Sequence, residues 1–278
     1  MSDSRIDAAV AGVDEAGYAV IRNVLEPEFR RDLRDRAQWL LASDITRGRD
    51  RGADGKDGFR GCITLDRAFM VPAADPLVLK TMLRLLGPNI QLLSSHLIAM
   101  PSPPKEHRSI RVPERPGWHR DMYGVSRDLG LAATPRPAVK CAYYLTEPSV
   151  RTGLTMVLPG SHRLQVRPAI AAGAIDPVGA ITPDVGRHDA LLFENRTWHA
   201  GGLNVSGEPR IALIYQYGYR WLAQVDDPVD IWPEATAVER QLLGAPDRDD
   251  DGALAKGAGA SALAAFTHEH KLPAEEDS

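Results

Sequence analysis

The sequence predicts a mainly β protein with flanking helices, arranged as a jelly-roll. Two observations carry this. Many short strand-like runs, separated by Gly and Pro turns, fill the chain from about residue 90 onward. Apolar residues at helical spacing are concentrated in the first third, where they suit helices that buttress a sheet. A chain of 278 residues can form one large domain, and we read residues 1–278 as a single domain with a core over about 14–245 and a loosely packed C-terminal tail over 246–278.

In order, residues 5–12 suit a short helix, and Tyr18-Ala19-Val20-Ile21 follows Gly17 as a strand. Glu26-Pro27 opens a helix, because Pro is tolerated in a first turn, and Phe29, Leu33, Ala37, Leu40 and Leu41 recur along one face of it. Residues 44–60 are polar and rich in Gly, Asp and Arg, which predicts a long loop and, at that length, a lid. Asp75-Pro76 starts a helix with Leu77, Leu79, Leu83 and Leu86 on its apolar side, and Gly87-Pro88 ends it. A strand over 90–100 runs into the Pro-rich and basic segment 101–117, read as a second lid bordering the entrance. Further strands are expected over 139–145, 154–158, 188–193 and 210–219, and a helix over 233–243. Val139, Ala142, Leu145, Leu191, Ile211 and Leu213 are expected to fill the space between two sheets.

Composition excludes several classes. The chain has 44% apolar and 25% charged residues, as ordinary globular proteins do. A net charge of −4 gives no electrostatic case for nucleic acid. No apolar run approaches the roughly 20 residues that span a bilayer, and Met1 to Asp7 has no apolar signal-peptide core. Cys62 and Cys141 lie far apart without a Cys-x-x-Cys pattern, which fits a reducing compartment; the expected location is cytoplasmic.

The chemistry gathers at Trp118-His119-Arg120-Asp121 and, eighty residues on, at Trp198-His199. Strand side chains alternate, so His119 and Asp121 share a face. If His199 joins them, two imidazoles and a carboxylate surround one side of a metal, the ligand set of non-haem Fe(II) oxygenases. Arg210 lies eleven residues after His199 on the next expected strand, where a guanidinium can grip a carboxylate beside the metal. A lone His-x-Asp is a weak signal, and a lone His is more often a core or surface residue. Order and strand-end placement together make the set stronger than its parts. Arg120, Arg127, Arg136 and Arg196 near these motifs point to an anionic or strongly polar substrate, with Tyr123, Trp118 and Trp198 as pocket walls.

These motifs, with Thr152-Gly153-Leu154 running to Pro159-Gly160-Ser161-His162-Arg163 and Glu15-Ala16-Gly17-Tyr18 near the start, resemble the phytanoyl-CoA dioxygenase family of Fe(II)- and 2-oxoglutarate-dependent oxygenases. The resemblance implies the cupin-like double-stranded β-helix. It implies His119, Asp121 and His199 as ligands of Fe(II), Arg210 on the distal carboxylate of 2-oxoglutarate, and His96 reaching into the barrel near that cosubstrate. His162 is read as part of a structural turn. The implied reaction consumes dioxygen, releases succinate and CO₂ and oxidises a small-molecule substrate, most often by hydroxylation. A carboxylate at position 121 argues against halogenation. A small metabolite of bacterial secondary metabolism is the preferred substrate class. An acyl-CoA hydroxylase of the same family, a non-redox metal-binding cupin protein and a non-catalytic sensor stay open as alternatives.

Overall fold

The computed structural model describes residues 3–46, 57–102, 117–130, 135–226, 231–248, 254–255, 261–270 and 272. Helix α1 (Ser4–Ala16) opens under the Asp3 side chain, which accepts from the Arg5 N–H, and closes at Gly17 with φ 82°. This is the left-handed cap that glycine makes without a side-chain clash. Ile6, Ala9 and Val13 form its buried stripe. Strand β1 (Tyr18–Ile21) and helix α2 (Pro27–Ala42, with Pro27 in its first turn) follow. Strand β2 (Asp57–Arg60) and the short helix α3 (Cys62–Leu65) lead to helix α4 (Pro76–Leu86), capped by Asp75.

The strands that follow are β3 (Ile90–Met100), β4 (Ala138–Tyr144), β5 (Thr155–Val157), β6 (Ala190–Glu194), β7 (His199–Gly201) and β8 (Arg210–Tyr219), with a two-residue antiparallel pair, Asp247–Arg248 and Leu254–Ala255, nearer the C-terminus. A short helix α5 (Tyr123–Leu129) precedes β4, and α6 (Ala237–Leu242) follows β8. The main sheet runs β1-β6-β4-β8-β3-β2, with every neighbour antiparallel. Strands β5 and β7 form a smaller sheet, widened by the bridges His119↔His199 and Val157↔Ile181. This is the expected jelly-roll with flanking helices; its sheets do not close into a barrel.

Both faces of the main sheet are buried, and alternation divides its side chains. Val139, Cys141, Tyr143, Leu192, Ile211, Leu213, Tyr215 and Tyr217 pack with residues of α1, α2 and α4. Ala142, Tyr144, Leu191, Phe193 and Ala212 face the other way and cluster with Leu154 and Val185. Of the six residues expected between the sheets, Ala142 and Leu191 are there, whereas Val139, Leu145, Ile211 and Leu213 belong to the helix side. A sheet apolar on both faces has no polar side to fix the parity.

The expected loop over 44–60 contains a 3-10 turn at Asp44–Thr46 and the edge strand β2, while 47–56 lies outside the described residues. Of 101–117, only 101, 102 and 117 are described, so the reading of both segments as lids falls mostly outside them. Within 246–278, read as a loose tail, Ala262–Glu269 form helix α7, capped by Ser261. Its Leu263 is fully buried and shares a cluster with Leu242. Cys62 and Cys141 are buried and unpaired. No helix of the described residues is long and apolar enough to cross a membrane.

Candidate active site

His119 and His199 meet because their backbones are directly paired: each N–H donates to the other's carbonyl at 3.0 Å. Cross-strand partners share a face, and the two rings sit 4.4 Å apart between centroids. The Asp121 N–H donates to the Asn195 carbonyl at 3.0 Å, which brings the third residue alongside. Phe193, from the inner face of the main sheet, packs 4.7 Å from the His199 ring. The donor atoms of His119, Asp121 and His199 all lie within 4.8 Å of one another, a spacing a single metal ion can bridge. His119 is half exposed at the mouth, with side-chain exposures of 51% for it against 12% for Asp121 and 6% for His199.

The hydrogen bonds set the chemical form of this cluster. His119 Nδ1 lies 2.6 Å from the Gly117 carbonyl and His199 Nδ1 lies 2.8 Å from the Thr197 carbonyl. A carbonyl can only accept, so each Nδ1 carries a proton and each Nε2 is the ring nitrogen turned toward the centre. Burial pushes the His199 imidazole down to about 4, helped by His119 and Lys140 and opposed by Asp121, so it is neutral near pH 7. Burial works to raise the Asp121 carboxyl, but Lys140, His199 and His119 outweigh it and hold it at about 2. Lys140 donates to Asp121 Oδ1 at 2.8 Å. The other oxygen, Oδ2, is buried without a hydrogen-bond partner and lies 3.5 Å from His199 Nε2. Two free imidazole nitrogens and an orphaned carboxylate oxygen converging on one point fit a divalent cation.

Arg210, at the start of β8, projects between the sheets. It is 4% exposed, its Nε is buried without a partner, and its guanidinium lies 5.7 Å above the Tyr144 ring. Its Nη1 donates to the Gly153 carbonyl. Burial lowers its pKa, against the favourable influence of Tyr144. A buried guanidinium without a carboxylate is suited to an incoming anion. His96 pairs in register with Ile214, two positions along the Arg210 face of β8, so it is turned to the same interior.

The remaining family-like motifs hold this geometry in place. Ser161 Oγ accepts from the Trp198 N–H at 2.8 Å, which pins the Pro-Gly-Ser-His turn to the His199 strand. His162 Nε2 lies 3.2 Å from the Asp14 carbonyl, away from the cluster. Asn204 bridges the Met100 and Glu208 carbonyls and accepts from Ser206, forming the turn that delivers Arg210.

Several expected pocket residues lie elsewhere. Trp118 and Trp198 alternate with His119 and His199, so they point to the outer side of the small sheet. There, Trp118 donates to Asp176, and Arg120 and Arg167 stack over Trp198. Tyr123 is 72% exposed. Arg120 bonds the Ser161 and Leu164 carbonyls, Arg127 pairs with Asp128, and Arg136 and Arg196 both grip buried Glu194. Arg127, Arg136 and Arg196 are thus answered by carboxylates, and Arg120 lies over Trp198 on the outer side of the small sheet, so none of the four faces the interior of the site. Sequence reasoning missed Lys140, whose signal was a lone charge inside the apolar run Val139 to Leu145.

A jelly-roll that gathers two imidazoles and a carboxylate between its sheets has the architecture of the non-haem iron oxygenases. Residues 13–212 match the model of the phytanoyl-CoA dioxygenase family (PhyH), and the chain belongs to that family. It is an enzyme of the Fe(II)- and 2-oxoglutarate-dependent oxygenase type. An ectoine dioxygenase of Halomonas elongata is 27% identical over 238 residues, covering 71% of this chain and 66% of its own. An uncharacterized protein of Mycobacterium tuberculosis is 26% identical over 254 residues, covering 87% and 88%. Among solved structures, the α-ketoglutarate-dependent epimerase SnoN from nogalamycin biosynthesis aligns with a TM-score of 0.60 at 19% identity, covering 84% of this chain and 92% of its own. SnoN in complex with Fe3+, α-ketoglutarate and nogalamycin RO aligns with a TM-score of 0.61 at 17% identity.

Proposed function

We propose that the protein oxidises a small metabolite, most simply by hydroxylation, with Fe(II) held by His119 Nε2, His199 Nε2 and Asp121 Oδ2. In this reading Arg210 receives the distal carboxylate of 2-oxoglutarate, and His96 lines the cosubstrate side. The observation that carries the assignment is the orphaned Asp121 Oδ2 lying between the Nε2 atoms of His119 and His199, within one sheet interior that also holds the partly unpartnered Arg210.

When bound, iron and 2-oxoglutarate supply oxidation of a substrate C–H bond coupled to decarboxylation of the cosubstrate to succinate. The chain's own contribution is position and exclusion of water. Lys140 fixes one Asp121 oxygen and leaves the other for the metal. The Gly117 and Thr197 carbonyls lock both imidazole tautomers. Ala142, Tyr144, Leu191 and Phe193 keep the interior apolar. A role in secondary metabolism is supported by the nogalamycin-pathway neighbour only at the level of fold.

Anaerobic titration with Fe(II) and then 2-oxoglutarate, followed by visible charge-transfer absorption, tests the reading. Arg210→Ala should keep iron and weaken 2-oxoglutarate about 10- to 100-fold, the loss of a charge-assisted hydrogen-bonded pair. Arg210→Lys should also lose affinity, because an ammonium cannot form the forked pair. Unchanged 2-oxoglutarate affinity in Arg210→Ala would show the assignment to be wrong.

A further inference from the structure

A cleft of about 1110 Å³ opens on the helix-covered side of the main sheet, away from the metal-binding candidates. One wall is the face of α2 that carries Arg30, Arg31 and Arg34; the opposite wall carries Arg187, and Ala99 and Ile211 form part of the floor. Ile211 follows Arg210 on β8, and consecutive strand residues face opposite ways. The cleft is therefore back to back with the interior that holds Arg210 and is a separate site.

The four arginines are not equivalent. Arg187 pairs with Glu147 at 2.9 Å, Arg34 with Asp35 at 2.8 Å, and Arg31 approaches Glu28 at 3.6 Å. Arg30 is 7% exposed, its Nε is buried without a partner, and its guanidinium makes no hydrogen bond or ion pair among the described residues. Burial lowers its pKa, as do the like charges of Arg187, Arg34 and Arg31, and Glu147 opposes them only in part. Leaving a charged fork unsatisfied at the base of a cavity is costly unless something in the cavity answers it. Two acids also line the cleft, Glu147 and Glu208, but Glu147 is committed to Arg187 and the wall stays net positive.

We infer that this cleft is a second ligand site that binds a phosphorylated small molecule, with the phosphate on Arg30 and Arg187 and with Arg31 and Arg34 toward the mouth. A phosphate offers three strong acceptor oxygens and nearly two negative charges. It can engage several guanidinium forks at once, where a carboxylate saturates on one or two. The volume suits a whole metabolite rather than a bare ion. The inference does not rest on the assignment of the metal or cosubstrate residues.

Isothermal titration of the full-length protein, without added metal, with phenyl phosphate, and with benzoate as the carboxylate of matched shape, tests it. Phenyl phosphate should bind saturably at one site, more tightly than benzoate, with affinity falling as salt rises. Arg30→Gln and Arg187→Gln should each weaken it about tenfold or more, and Arg240→Gln, on the distant helix α6, should leave it unchanged. If Arg30→Gln does not fold, Arg187→Gln and Arg34→Gln carry the comparison. Absence of saturable binding, benzoate binding as tightly as phenyl phosphate, or equal affinity in the cleft variants would overturn the inference.

Discussion

Asp121 divides its two oxygens between two tasks, and Lys140 enforces the division. One oxygen accepts the ammonium at 2.8 Å and the other is left bare toward the imidazoles. Partners of this kind orient metal ligands, and their loss typically costs about 10- to 100-fold in metal affinity. Lys140→Met should therefore weaken Fe(II) binding by that order in an anaerobic equilibrium titration. The opposing argument is that a cation beside the site repels the metal, so removing it should help. Unchanged or tighter binding in Lys140→Met would favour that argument and remove Lys140 from the site's support. The clustering of His119, Asp121 and His199 was legible in the sequence because His119-x-Asp121 is a local pattern whose shared face follows from strand geometry. Lys140 was not, because one lysine on a strand says nothing of its partner until the fold supplies Asp121. The same alternation rule that unites His119 and Asp121 turns Trp118 and Trp198 outward, so their removal from the pocket was derivable from sequence.

Among the elements, the turn at Gly153 links the sheets to Arg210, for which we propose the cosubstrate carboxylate as partner. Gly153 has φ 75°, and a Cβ there would stand 2.3 Å from the Gly202 carbonyl oxygen. Its own carbonyl receives the Arg210 guanidinium. Gly153→Ala should cost about 1–2 kcal/mol for the left-handed backbone and add strain from the close approach. It should lower the melting temperature and weaken 2-oxoglutarate together, with Fe(II) affinity nearly unchanged. Wild-type 2-oxoglutarate affinity in this variant would separate the turn from the site. Strand and helix positions were readable from periodicity and from punctuation by Gly and Pro. Which residues face the helices was not, because β4 and β8 are apolar on both sides. Helix α7 was hidden by an Ala- and Gly-rich composition, although Ser261 stands at its start as a ready cap. The basic cleft was equally invisible, since Arg30 reads as an exposed helical arginine until the turn bearing Arg187 is brought opposite it.

For the molecule as a whole, acid stability should turn on Glu194, which is fully buried between Arg136 and Arg196 at 2.6 and 2.7 Å. Burial works to raise its carboxyl, but Arg196 and Arg136 more than offset that and hold it below the ordinary 4.5. A depressed folded-state value contributes stability that is present above the unfolded value and lost as pH falls through the folded one. The melting temperature should thus drop as pH falls below about 4.5. Glu194→Gln should flatten that fall while costing about 3 kcal/mol at neutral pH, because the carboxylate shared by two guanidinium groups is lost, although Arg136 keeps Asp14. A variant with the wild-type acid profile would exclude Glu194 as its source. Anomalous diffraction from anaerobic crystals grown with Fe(II) would locate the metal itself. One strong peak is expected between His119 Nε2, Asp121 Oδ2 and His199 Nε2, about 2.0–2.2 Å from each, with Lys140 still on the other Asp121 oxygen. A peak at another site, with these three side chains free of metal, would contradict it.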